Sequence, residues 1–299
     1  MADRSADKNA GFALVAVLVF MLIVSAIVAP FALTARSRLM IAGNETEQQR
    51  LAMVADGLVN VVAGELFDGS ATSKLSQDAQ PARCHAGHFS FELSVQDHRG
   101  LIDLNAANDK LLAQGLASFG FDPRMAGEIA KAIVTFRSPP NAFAAGTQPR
   151  SSLGPSQNKF AAFESVSELQ EFSALASIPL GDLYAVFTVD LKQGAIVLAK
   201  APNRLRNFVN TAPQAEQPAD PDRNGGSLYT VEVTARRDGS GIAGQAGFVV
   251  ERSALATTGF IRISRMPAAE IDGPTALAPT ISCDGLFGTT VAQILARWS

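Results

Sequence analysis

The chain's organising stretch is GFALVAVLVFMLIVSAIVAPFAL, Gly11 to Leu33. It carries no charge and only one Ser and one Pro among Leu, Val, Ile, Phe, Ala and Met. About 20 consecutive apolar residues in a helix cross the hydrocarbon core of a bilayer, so this stretch is long enough to do so. Arg4 and Lys8 precede it; Arg36 and Arg38 follow it closely. That symmetry leaves the basic-residue rule unable to set an orientation. The run is longer than a secretory signal core, and no small-x-small cleavage site follows it before Arg36.

From Arg36 to Leu66 there is no Pro, and Leu51, Val54, Leu58, Val61, Val62 and Leu66 recur at helical spacing between Glu47, Gln48, Arg50 and Asp56. An apolar half followed by an amphipathic half predicts one helix on the order of 80 Å long at 1.5 Å per residue. Its outer half needs a sheet against it. Pro30 is expected to bend it, because Pro removes a backbone hydrogen bond.

Composition narrows the possible functions. The 299 residues carry a net charge of −3, which leaves no basic footprint for nucleic acid. No P-loop, nucleophile elbow or metalloprotease motif occurs, so no enzymatic activity is expected. The sequence places His85, His88 and His98 near Cys84, but a structural zinc needs four ligands. The competing reading is loop histidines. Cys84 and Cys283 both lie beyond the apolar run. They are either one disulfide, closing a very long loop in an oxidising compartment, or two buried thiols.

The rest of the chain reads as α+β. Asp68 to Gly87 is loop-like, and Phe89 to Val95 alternates as a half-buried strand. A turn at Gln96–Gly100 and a second short strand from Leu101 to Asn105 predict a hairpin. Asn105 or Asn108 is placed to cap a helix carrying Leu111, Leu112 and Leu116. Asp122-Pro123 is a cap followed by Pro at the first helical position. Ser138 to Lys159 reads as a long loop. Ser165 and Glu168 form a capping box ahead of Leu169 and Phe172. Leu183 to Val189 leads back to a strand. From Gly194 the pattern is β-rich, with strands expected at Leu228–Ala235, Gly247–Glu251 and Gly259–Ser264. A final helix is expected from Gly288 to Trp298. Asp220-Pro-Asp-Arg-Asn-Gly matches the opening of a calcium loop, with Asp220, Asp222 and Asn224 as the candidate ligands. The closing twelfth position is Val231, however, and a polar turn entering the Leu228 strand explains the same residues.

Several of these stretches resemble a known family. Gly11-Phe12, ending a short charged leader before an apolar run, resembles the type IV prepilin-like processing site. The fifth residue counted from Phe12 is Ala16, where most such proteins carry Glu. That absence resembles the type II secretion minor pseudopilin K family (general secretion pathway protein K). DHRGLIDLNAANDKLLAQGLASFGFDPRMAGEIAKAIVTFR, Asp97 to Arg137, resembles that family's entry into an inserted helical domain. Phe163-Glu-Ser-Val-Ser-Glu-Leu resembles the opening of its second helical half, and Asn207-Phe-Val-Asn-Thr its return strand. The Pro-Gly hairpin common there is replaced by Ser173 to Asp182.

The resemblance implies a pilin-like α+β fold, with a long N-terminal helix packed on an antiparallel sheet and an inserted all-helical domain of SAM-like or helix-hairpin-helix-like type. It divides the chain into a leader (1–11), the helix (12–66, with 12–33 in the membrane), the first part of the sheet (67–104), the inserted domain (105–184) and the remaining β domain with its C-terminal segment (185–299). It implies cleavage between Gly11 and Phe12, N-methylation of Phe12, and single-pass anchoring in the bacterial inner membrane. The N-terminus would be cytoplasmic before cleavage and the bulk of the chain periplasmic. The implied partners are other minor pseudopilins, the prepilin peptidase and the inner-membrane secretion platform, with calcium as the one candidate cofactor. A different class also uses a Leu-Asn-x-Ala opening: membrane-anchored DNA receptors with helix-hairpin-helix modules. The Gly-x-Gly hairpin of those modules is missing at Ser118-Phe-Gly-Phe and at Ile178-Pro-Leu-Gly.

Overall fold

The computed structural model describes residues 10–67, 74–139, 154–155, 158–209, 228–267 and 280–297. The chain divides into two units, residues 1–50 and 51–299. Helix α1 (Ala10–Phe67) begins in the first and ends in the second.

In the first unit α1 is apolar all round from Phe12 to Leu33, and there its large side chains are exposed. Its large apolar side chains between Phe12 and Ile41 range from 37% exposed at Val24 to 79% at Phe12. The helix runs on through Pro30. Thr34 Oγ1 donates to the Pro30 carbonyl at 2.8 Å.

In the second unit the last turns of α1 change character. Leu51, Val54, Ala55, Leu58, Val59, Val62 and Ala63 are buried at spacings of three and four, one face of a 3.6-residue period. That face lies against a six-stranded sheet made of β1 (Ala82–Ala86), β2 (Phe89–Asp97), β5 (Leu228–Arg237), β6 (Ala243–Arg252), β7 (Phe260–Arg265) and β8 (Thr280–Ser282), in the order β7-β6-β5-β2-β1-β8. All neighbours are antiparallel except β1 and β8. Phe89, Phe91, Leu93 and Val95 of β2 alternate inward beside Tyr229, Val231, Val233 and Ala235 of β5. Burying each such large side chain contributes about 1.5–3 kcal/mol. One contact sets the helix-to-sheet distance: a Cβ on Gly244 of β6 would stand 2.1 Å from the backbone nitrogen of Ala52. Backbone meets backbone there, and only glycine fits.

Between β2 and β5 lies a helical segment with a second core. It comprises β3 (Ile102–Asp103), α2 (Asp109–Ala117), α3 (Pro123–Arg137), a 3-10 turn at Val166–Glu171, α4 (Leu180–Tyr184), β4 (Phe187–Thr188) and α5 (Asn203–Val209). The expected caps are in place. Asn108 Oδ1 accepts from Leu111 N, Asp122 Oδ1 accepts from Arg124 N and Met125 N, and Ser165 with Glu168 closes a capping box. Phe136, Phe163 and Phe172 pack at centroid separations of 5.3, 5.4 and 6.5 Å. The chain closes with α6 (Cys283–Arg297), kinked at Gly288.

Three expectations are corrected. The hairpin partner of β2 is β1, inside the stretch read as loop, and not Leu101–Asn105. β1 reads ARCHA, with only Cys84 and Ala86 turned inward, so it lacks the bulky alternation that marks a strand. The residues after the turn leave the main sheet, and β3 instead pairs in parallel with β4. A 3-10 turn at His98–Gly100 redirects them, with Asp97 Oδ1 accepting from Arg99 N at 2.9 Å. Finally, Asn207–Val209 is the end of helix α5 and not a strand. A short apolar run does not distinguish the two, and Pro202 starts a helix here by accepting from Arg206 N at 2.9 Å.

Candidate assembly site

The candidate processing bond, Gly11–Phe12, lies within the first turn of α1. The first turn of α1 carries no acidic side chain. Phe12 is 79% exposed. Ala16 places no carboxylate in the apolar half. From Leu14 onward α1 is long and apolar enough to cross a membrane, and none of its most apolar window is buried.

In the second unit the polar groups serve to join segments. Asp103, 1% exposed, accepts from Asn105 N at 2.7 Å and Ala106 N at 3.0 Å through Oδ1, and from Lys192 N at 2.7 Å through Oδ2. Asn105 does not cap α2. Its Nδ2 donates to Phe163 O at 2.9 Å and Val189 O at 3.3 Å, and its Oδ1 accepts from Phe163 N at 2.7 Å. One side chain thus ties together segments 58 and 84 residues apart. Arg137 at the end of α3 donates to the carbonyls of Leu104 and Ala107. The Ile-Asp-Leu-Asn sequence is accordingly a structural hub: its apolar residues enter the second core and its polar ones close the turns around it.

His98 joins the two sheets. Its Nδ1 lies 2.8 Å from Thr188 Oγ1 of β4, and its Nε2 lies 2.7 Å from Thr230 Oγ1 of β5. Burial lowers its pKa to about 4, outweighing the opposite pull of Asp97. The Asp97 carboxylate is held by the Arg99 guanidinium at 2.6 Å. Asp97-His98, which looks like a chance pair in the sequence, is a buried junction. Its one sequence signal is two polar residues where the β2 alternation breaks.

His85 and His88 are exposed and do not approach His98 as a set. Among the described residues no three His, Cys, Asp or Glu side chains converge as metal ligands. The calcium candidates Asp220, Asp222 and Asn224 lie outside the described residues. Cys84 and Cys283, both fully buried, form a disulfide that fastens the start of α6 to β1.

No family model matches the chain, and no curated protein matches it either. A solved structure to which it is similar is a chain of the GspK-GspI-GspJ complex from the enterotoxigenic Escherichia coli type 2 secretion system. The two are 11% identical, with a TM-score of 0.48, over 79% of this chain and 99% of that one.

Proposed function

We propose that this chain is a minor pseudopilin of the K type, a tip subunit of a type II secretion pseudopilus that helps initiate pseudopilus assembly and protein export. The observation that carries the reading is α1. A helix that begins at a Gly-Phe junction runs through an uncovered apolar half into a face buried under a sheet. Each exposed Leu, Ile or Phe of that half would cost about 1.5–3 kcal/mol in water, so it belongs in lipid or in a bundle of similar helices. The Gly11-Phe12 junction, the Asp97–Arg137 stretch and the Phe163–Leu169 capping box support the same reading by their resemblance to the family.

On this reading the action is mechanical and not catalytic. The chain is anchored once in the bacterial inner membrane with its bulk in the periplasm, where the Cys84–Cys283 bridge is at home. The prepilin peptidase cuts after Gly11 and methylates the freed amine of Phe12. The secretion platform then moves the helix from lipid into a bundle with other minor pseudopilins. Ala16 offers no carboxylate to the amine of a subunit above, and the helical segment, as an inserted SAM-like domain, supplies bulk at the tip. Co-expression with a prepilin peptidase, followed by mass spectrometry, tests this. The expected product starts at N-methylated Phe12, and Gly11→Val blocks its formation. An intact Met1 in the presence of active peptidase would overturn the reading.

One observation favours the DNA-receptor reading. α2 and α3 form a helical hairpin that turns through Gly120 at φ +90°. A helix N-terminus in such a hairpin would receive a phosphate. Here Asp122 already fills that position, its carboxylate accepting from Arg124 N and Met125 N at 3.0 Å. An anion would meet a carboxylate. Filter binding across salt separates the readings: a steep salt slope would favour DNA.

A further inference from the structure

One border of the six-stranded sheet is β7, and among the described residues no strand pairs beyond it. Exposed edges are commonly guarded by outward charge or Pro. β7 does so only at its last residue, the exposed Arg265. Arg262 turns inward, its Nη1 donating to Asp56 Oδ1 at 2.8 Å and its Nη2 to Asn60 Oδ1 at 2.7 Å, and its guanidinium lies 4.0 Å from the centre of the Phe248 ring. Aliphatic side chains turn outward instead: Leu255 on the β6–β7 connection is 98% exposed, Ile261 44% and Ile263 42%.

Beside this edge lies a cavity of about 240 Å³. A register shift at Val249/Val250 accompanies Ile263 and Ser264 both reaching its wall. The hydroxyls deep in it are already engaged: Thr188 and Thr230 with His98, Ser165 with Tyr184 at 3.0 Å. Its rim is acidic. Glu164 has Lys159 Nζ at 3.7 Å. Among the described residues the Asp190 carboxylate accepts no hydrogen bond and faces no cation, and Asp103 and Glu251 add like charge beside it. Glu251 stands opposite Ile261 in the β6–β7 register, on the same face.

We propose that the β7 edge is a docking surface for a different protein that presents basic side chains next to apolar ones. Leu255, Ile261 and Ile263 take the apolar part. One long basic side chain lays its methylenes along Ile263 and delivers its charge to Asp190 and Glu251, as Lys and Arg do when they span an apolar wall. An apolar patch with a charged rim is the usual plan of such an interface. A second copy of this chain is the poorer occupant, because a two-fold contact centred on the cavity mouth would bring the same carboxylates together.

Fluorescence anisotropy on the full chain in detergent, with a labelled short peptide alternating Val and Lys, tests the proposal. The same peptide with Glu for Lys is the control. The Lys peptide is expected to bind and the Glu peptide not. Asp190→Asn with Glu251→Gln is expected to weaken binding about tenfold, as is Ile263→Ser, while the melting temperature stays close to that of the native chain. Equal binding of both peptides, or binding unchanged in the double variant, overturns the proposal. So does sedimentation showing a dimer that Ile261→Asp dissociates. No peptidase or secretion enters the assay, so its failure is separate from failure of the pseudopilin reading.

Discussion

The sheet core and the helical core of the second unit are held in different ways. Under the sheet, α1 is positioned by shape: apolar side chains at helical spacing, backbone contact at Gly244, and the disulfide behind β1. In the helical segment the apolar filling is as complete, but the connections that bring its pieces together are polar. Asp103, Asn105 and Arg137 bind main-chain groups from distant segments. Apolar burial is non-directional, so it collapses a core without specifying which loop lies where. Buried hydrogen bonds supply that specification, and they are costly when half-made. The first core should therefore fail through steric insult and the second through loss of single polar side chains.

The largest effect expected is at Gly244. Gly244→Val places a Cβ and two methyls where the Ala52 nitrogen and the Leu51 carbonyl carbon stand at 2.1 and 2.3 Å. Neither backbone can yield without parting helix from sheet. The destabilisation should reach or exceed about 3 kcal/mol, the upper range for overpacking, and leave little cooperative unfolding transition by circular dichroism. A variant melting within a few degrees of the native chain would show that α1 can ride away from the sheet, and the sheet core would then not be fixed by shape.

A smaller effect, and one tied to pH, should arise where the cores meet at His98. In the unfolded chain His98 titrates near 6.5; in the folded protein its pKa is lowered to about 4. The unfolded state therefore takes up the proton first as pH falls. The stability contribution is fully present above pH 6.5 and is lost between there and pH 4. At about 1.4 kcal/mol per pH unit, the loss across the window is about 3 kcal/mol. Urea midpoints at pH 7 and pH 5 should differ in the native chain and differ much less in His98→Gln. Carboxylates titrate in part of the same range. Asp78 and Glu168 are held below their ordinary values by their cationic partners and hydrogen bonds, while Asp190 and Glu232 are raised by burial. The informative quantity is thus the difference between the two chains at each pH. Identical pH profiles would mean that His98 is not what makes the junction acid-sensitive.

The two cores also differed in how readable they were. The amphipathic turns of α1 and much of strands β2 and β5 carry clear periodicity, and the capping residues Asn108, Asp122 and Ser165 act on groups two or three positions away, so local sequence contains them. The partner of β2 was not readable, because β1 draws its burial from Cys84, Ala86 and the bridge to Cys283 and not from an alternating run. Nor was the departure of β3 toward β4, which depends on a turn and on a partner about 85 residues away. For the candidate site, Gly11-Phe12 and the apolar run lie in one short window. The hub residues Asp103 and Asn105 were visible as a motif, but their roles were not, since these are set by contacts to Phe163, Val189 and Lys192.

The smallest effect, and the sharpest test of the contrast, is Asn105→Ala. It removes the donor to Phe163 O and Val189 O and the acceptor for Phe163 N, leaving the main chain of buried Phe163 and half-buried Val189 unmatched. A loss of about 2 kcal/mol is expected. Asn105→Asp should recover little of it. The carboxylate still accepts from Phe163 N, but it sets an anion against two carbonyl oxygens. The location of the effect matters more than its size. Amide hydrogen exchange should quicken in α2, α3 and the Val166–Glu171 turn while Leu51–Phe67 of α1 and β5 keep their protection, because the two cores share few side chains. Exchange quickening equally on both sides would mean that the polar hub holds the whole unit together and that the helical segment has no separate stability.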